Sequence, residues 1–160
     1  MSGRCDGTFT ADKITATTVE FGDNAVAGRS VVHRFSRGWS VVGGTAVLAL
    51  TNMPIHYFRN AGKVLAISVT PYTAPTGGDL AYTVDLKKGN QATPVATILS
   101  SVITINSSDA DRQTNAGTLS SSPTTCAAGD FLSLTVALTG STGTQGQGYV
   151  ITVDIEEDGV

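Results

Sequence analysis

The sequence predicts an all-β fold: an antiparallel β-sandwich, jelly-roll-like, with an extended N-terminal arm in front of it. Three observations carry the prediction. Period-two alternation of large apolar and small polar residues recurs along the chain, and no window of helical length keeps apolar residues at three-to-four spacing. Clusters of Gly, Pro, Asn and Asp separate the alternating runs, the turn chemistry that many short strands need. Charged residues make up only 14% of the 160-residue chain, against about 25% in an average soluble domain. Thr, Ser, Gly and Ala take their place, a composition suited to a rigid β-protein.

In chain order, residues 1–29 read as the arm and residues 30–160 as the sandwich. The arm has sparse apolar anchors, Phe9, Ile14, Val19 and Phe21, and together with Arg29 these are the candidate partner-binding residues. Burying each anchor gains roughly 1.5–3 kcal/mol, whereas ordering its backbone costs about 1–2 kcal/mol per residue. The arm is therefore expected to be loose alone and ordered against a partner or a neighbouring subunit.

Strands are predicted at Ser30–Ser36, Thr45–Thr51, Ile55–Phe58 and Lys63–Thr70. Next come Leu80, Tyr82, Val84 and Leu86, alternating with Ala81, Thr83 and Asp85. Val95–Ile105 reads as two strands bent at Ser100-Ser101. Leu132, Leu134, Val136 and Leu138 form a further apolar face, and Tyr149, Ile151, Val153 and Ile155 the last. About eight strands make a jelly roll the natural sandwich.

Candidate chemistry is thin. His33 and His56 have no base, acid or nucleophile beside them in sequence and read as strand residues facing polar neighbours. Asp109 and Asp111 lack the rest of a calcium-loop pattern and read as a solvated loop. Asp154, Glu156, Glu157 and Asp158 read as a charged strand end and solubilising tail. The Gly-rich Thr139–Val150 stretch precedes a strand and holds no Lys, so it is a β-β connection and not a phosphate loop. No metal or cofactor site is expected. The net charge of −3 and the scattered basic residues argue against nucleic acid. Arg29, Arg34 and Arg37 remain candidates for meeting an acidic partner. Trp39, Tyr57, Phe58 and Tyr72 are candidates for lining a sugar site or for plain packing. The longest apolar run, Val41–Leu50, is too short for a bilayer span, so no membrane partner is expected. The opening residues lack a secretory apolar stretch, which predicts reduced thiols, with a Cys5–Cys126 disulfide as the alternative.

Four stretches carry a family resemblance. "AGKVLAISVTPYTAPTGGDLAYTVDLKKGN" pairs a strand, a "TGGDL" corner and a second strand ending in a basic-Gly-Asn turn. "ATILSSVITI", "CAAGDFLSLTVALTG" and "STGTQGQGYVITVDI" follow in order. Together, over roughly Ala61–Glu156, they resemble a β-sandwich domain of tailed-bacteriophage virion structural proteins. Such domains occur in capsid decoration (cement) proteins, head fibres and tail fibres. The resemblance implies a virion structural protein, commonly a homotrimer, with no enzymatic activity and no small-molecule site to carry over. The leading expectation is a decoration protein on the outer capsid surface, bound to the major capsid protein. The rival is a tail-fibre or head-fibre domain that binds host-surface glycan.

Overall fold

The computed structural model describes residues 32–91 and 95–158. Their strands are β1 (Val32–Ala46), β2 (Leu50–Tyr57), β3 (Gly62–Thr73), β4 (Ala81–Gly89) and β5 (Ala96–Thr97), then β6 (Ile103–Ile105), β7 (Asn115–Ala116), β8 (Thr124–Cys126), β9 (Phe131–Thr139) and β10 (Gln147–Asp158). There is no helix among the described residues. The first sheet runs β1-β10-β3-β7, with β8 also on β3, and the second runs β2-β9-β4-β5, with β6 also on β4. Every ladder is antiparallel.

The pairings are nested. β1 pairs β10, β2 pairs β9, β3 pairs β7 and β8, and β4 pairs β5 and β6. That is one long hairpin rolled up on itself, and the rolling adds the β10·β3 and β9·β4 ladders. The sandwich is thus a jelly roll, the form that the strand count made natural, and its strand order comes from the structure alone.

Alternation explains the core. Tyr82, Val84 and Leu86 of β4 are fully buried, as are Tyr149, Ile151, Val153 and Ile155 of β10. Leu132, Leu134 and Val136 of β9 extend the β4 face of the core, and Val64, Ile67 and Val69 of β3 extend the β10 face opposite it. Two positions break the expected pattern. Leu138 is 43% exposed because β9 leaves the core at its end, and Ser133 is buried on the outer face, where Lys87 of β4 lies directly opposite it.

The predicted strand Thr45–Thr51 is not one strand. β1 runs on to Ala46 through an irregularity that uses Gly44 at φ 84°, and the chain turns at Val47. Val47 is buried, and its N–H donates to Gly146 O. β2 then starts at Leu50 and absorbs the predicted Ile55–Phe58 segment, with a bulge at Asn52 (φ 48°). Pro54 fits within β2 because β2 is a sheet edge. The bend at Ser100-Ser101 does separate two short strands, β5 and β6.

The "APTGGD" corner is a lock between loops. The Asp79 carboxylate accepts from Ser141 N (2.9 Å), Thr142 N (2.7 Å) and Thr142 Oγ1 (2.7 Å). These bonds hold its carboxyl at about 2. Gly143 sits at φ 111°, and a Cβ there would lie 1.7 Å from Gly77 O. The two glycine-rich stretches therefore interdigitate backbone to backbone, which only glycine permits.

Candidate functional site

The five arm residues singled out in the sequence, Phe9, Ile14, Val19, Phe21 and Arg29, lie outside the described residues. What is described is the point where β1 starts and the surface around it. Val32 pairs with Asp158, whose N–H donates to Ala61 O at 2.8 Å. The neighbouring Glu157 accepts from Arg59 N (2.7 Å) and Asn60 N (2.9 Å) and lies 3.3 Å from His56 Nε2. The start of β1 and the end of β2 thus share one end of the sandwich.

At that end the second sheet presents an aromatic groove. Tyr57 and Phe131 are direct cross-strand partners, and Tyr57 is 60% exposed. They face outward because β2 and β9 turn Phe58 and Leu132, their sequence neighbours, into the core. Pro54, Ile55 and His56 complete one hollow of about 480 Å³. Tyr57 and Phe131 also border a second hollow of about 510 Å³, floored by Asn90, Gln91, Ala128 and Gly129. A paired Tyr and Phe on a sheet face offer apolar area with a polar tip, the chemistry enriched at protein interfaces.

The "AAGD" turn braces this groove. The buried Asp130 accepts from Ala127 N (2.9 Å) and Asn90 Nδ2 (3.2 Å) and lies 3.5 Å from Lys88 Nζ. Burial alone would raise its carboxyl, but these donors outweigh burial and hold it below the ordinary range. Its carbonyl accepts from Phe58 N at 2.8 Å, which ties the end of β2 to the start of β9. Lys87 and Lys88 at the end of β4 are internal ties: Lys87 Nζ donates to Asn52 Oδ1 and Lys88 Nζ to Thr125 O.

The remaining sequence candidates resolve in particular ways. The sugar platform is not assembled. Phe58 is fully buried, Tyr57 lies at the end where β3 begins, and Tyr72 lies where β3 finishes. Trp39 is on the edge strand β1, opposite Ile151. Tyr72 is covered by the Arg112 guanidinium, 5.0 Å above its ring, beside a hollow of about 300 Å³ that includes Val150 and Ser40. Arg34 and Arg37 engage groups of their own chain: Arg34 Nε donates to Glu156 Oε2 at 2.8 Å, and Arg37 Nε to His56 Nδ1 at 3.4 Å. The C-terminal acids do form the charged end of a strand, β10, but Asp154, Glu156 and Glu157 are held by other parts of the chain and are not a solubilising tail. Glu156 sits between Arg34 and Lys63 (3.2 Å), whose hydrogen bonds lower its pKa, and Ser36 Oγ donates to Asp154. Asp109 and Asp111 point apart, Asp109 accepting from Asn106 N and Asp111 from Ala74 N. Cys126 is a free buried thiol, pushed up to about 11 chiefly by burial.

No known protein family matches the chain, and no curated protein matches it. A solved structure titled "Structure of infectious bursal disease virus Gt strain" aligns with 83% of this chain at 12% identity and a TM-score of 0.28. The aligned chain is longer: this one spans 38% of its length. A likeness that faint carries no functional argument.

Proposed function

We propose that this chain is a non-enzymatic virion structural protein: a bacteriophage capsid decoration (cement) protein that binds the outside of the major capsid protein shell and stabilises it, as a homotrimer. The observation that carries the reading is the placement of the exposed Tyr57–Phe131 groove at the end of the sandwich where β1 begins. Arm and groove then address one partner from one side. A 29-residue arm reaches at most about 100 Å when extended, enough to cross a neighbouring shell subunit. Three linked copies make weak arm contacts effective through local concentration.

The jelly roll is compatible with this role but is shared with lectins and cupins, so the site and not the fold has to decide. The fibre reading has one favouring observation, the hollow beside Tyr72 and Arg112, whose ring face is already occupied by the guanidinium. Sedimentation of the full chain with purified shells tests the proposal. Many copies per particle are expected, and Tyr57→Ser with Phe131→Ser should weaken binding while leaving the thermal midpoint near wild type. Only a few copies per particle would point to a tail part, and undiminished binding by the double variant would remove the groove from the contact.

A further inference from the structure

We infer that His56, Arg37 and Glu157 form an acid-sensitive latch that fastens β1 to the second sheet near the start of β1. The inference stands on geometry and does not depend on the decoration reading.

His56 belongs to β2, in the second sheet, whereas Arg37 on β1 and Glu157 on β10 belong to the first. The imidazole is wedged between two rings, Phe35 of β1 at 5.2 Å and Phe58 at 4.6 Å edge-on. Its side chain is only 5% exposed. Leu132 of β9 lies opposite it in the ladder. The charged groups that face it are Arg37 on one side, itself stacked over Phe35 at 4.9 Å, and Glu157 on the other.

The bonding fits a neutral ring. Arg37 Nε donates to Nδ1 at 3.4 Å, so Nδ1 has to be the bare nitrogen and Nε2 carries the proton. Nε2 sits 3.3 Å from Glu157 Oε2 without making a hydrogen bond to it, and Arg59 N and Asn60 N hold the carboxylate in place through its other oxygen, Oε1. A second proton on Nδ1 would abolish the Arg37 bond and set two cations against each other. Burial, then Arg37, hold the imidazole below 6.5, against the pull of Glu157. A histidine with a lowered folded pKa contributes its full stability above 6.5, and that stability is lost as pH falls from 6.5 toward the folded value. What loosens first is the side-chain contact between β1 and β2; β1, an edge strand otherwise paired only with β10, then opens from that ladder more readily.

The test is hydrogen–deuterium exchange of the full chain near pH 7.5 and pH 5.5, corrected for intrinsic rates, on wild type, His56→Gln and His56→Ala. Gln keeps an acceptor and a donor on its terminal amide but does not titrate. Opening of the Phe35–Val41 segment should rise on acidification in wild type. The rise has a ceiling of about tenfold, set by the unfolded imidazole value. It should be independent of pH in His56→Gln and high at both pH values in His56→Ala. His33 is kept in every variant, so a rise that persists in His56→Gln would assign the effect elsewhere and overturn the latch. An unchanged β1 in wild type, or a His56 NMR titration midpoint at or above 6.5, would overturn it too.

Discussion

Two adjacent residues on β4 test the register on which the whole core depends. Val84 is fully buried, paired with Val136 on β9 and Ile103 on β6. Val84→Asp removes apolar burial worth about 1.5–3 kcal/mol. The new carboxyl cannot ionise there without stranding a charge, so it stays protonated. Holding it protonated near pH 7, against an unfolded value near 3.9, costs about 4 kcal/mol. The sum, about 6–7 kcal/mol, rivals the 5–15 kcal/mol total stability of a typical domain. The folded pKa of this new Asp is raised, so the protonation cost is full at neutral pH and fades as pH falls toward about 4. Thr83, next door, faces outward opposite Thr104 and Ala137. Thr83→Asp meets only the like charge of Asp85 two residues on and should cost about 1 kcal/mol or less. Urea unfolding followed by circular dichroism, near pH 7 and pH 4, reads both effects. Val84→Asp should be unfolded or nearly so at neutral pH and partly recover in acid. If Thr83→Asp unfolds the chain and Val84→Asp is tolerated, the register is out by one.

The other predictions concern the corner, the turns and the thiol. Asp79, held at about 2, contributes stability that is complete above its unfolded value and lost as pH falls through about 2. Asp79→Asn should therefore lower the neutral-pH melting temperature and flatten its acid dependence between about pH 4 and 2; an unaltered acid limb would mean that the corner does not couple to folding. Gly143→Ala drives a methyl into Gly77 O at 1.7 Å, whereas Gly44→Ala has open space and only its positive φ to contend with. Gly44→Ala should cost about 1–2 kcal/mol and Gly143→Ala clearly more in the same denaturation assay, with equal costs arguing against the interlocked loops. Cys126, buried and raised to about 11, should resist a thiol reagent in the native state and react on unfolding. Rapid native labelling at Cys126, located by peptide mass spectrometry, would mean that β8 opens.

Much of the fold was legible in the sequence because a half-buried strand writes its own faces. Tyr82, Val84 and Leu86, and then Tyr149 through Ile155, alternate because one side meets the core and the other meets water or a polar neighbour. β7 and β8, of two and three residues, are too short to show a period and exist because β3 offers them a ladder. The split at Val47 was hidden because an apolar run reads alike whether its residues fill one strand or anchor the turn between two. The groove was hidden for a different reason. Tyr57 and Phe131 lie far apart in the chain, and only the β2·β9 register makes them neighbours. Tyr57 read as a candidate for a sugar site or for plain packing and Phe131 was not singled out, and the signal lay in their common outward phase. The charged strand end was legible, but its solubilising role was not, because charge near a chain end resembles a solvated tail until β1 and β3 supply Arg34 and Lys63 on either side of Glu156.

The decoration role is tested most directly by removing the arm. A chain lacking residues 1–28 keeps every described strand and the groove. It should remain a folded trimer by circular dichroism and sedimentation, yet fail to sediment with shells that the full chain binds, with little dependence on salt. A truncated chain that binds shells as well as the full-length protein would contradict the role of the arm in decoration.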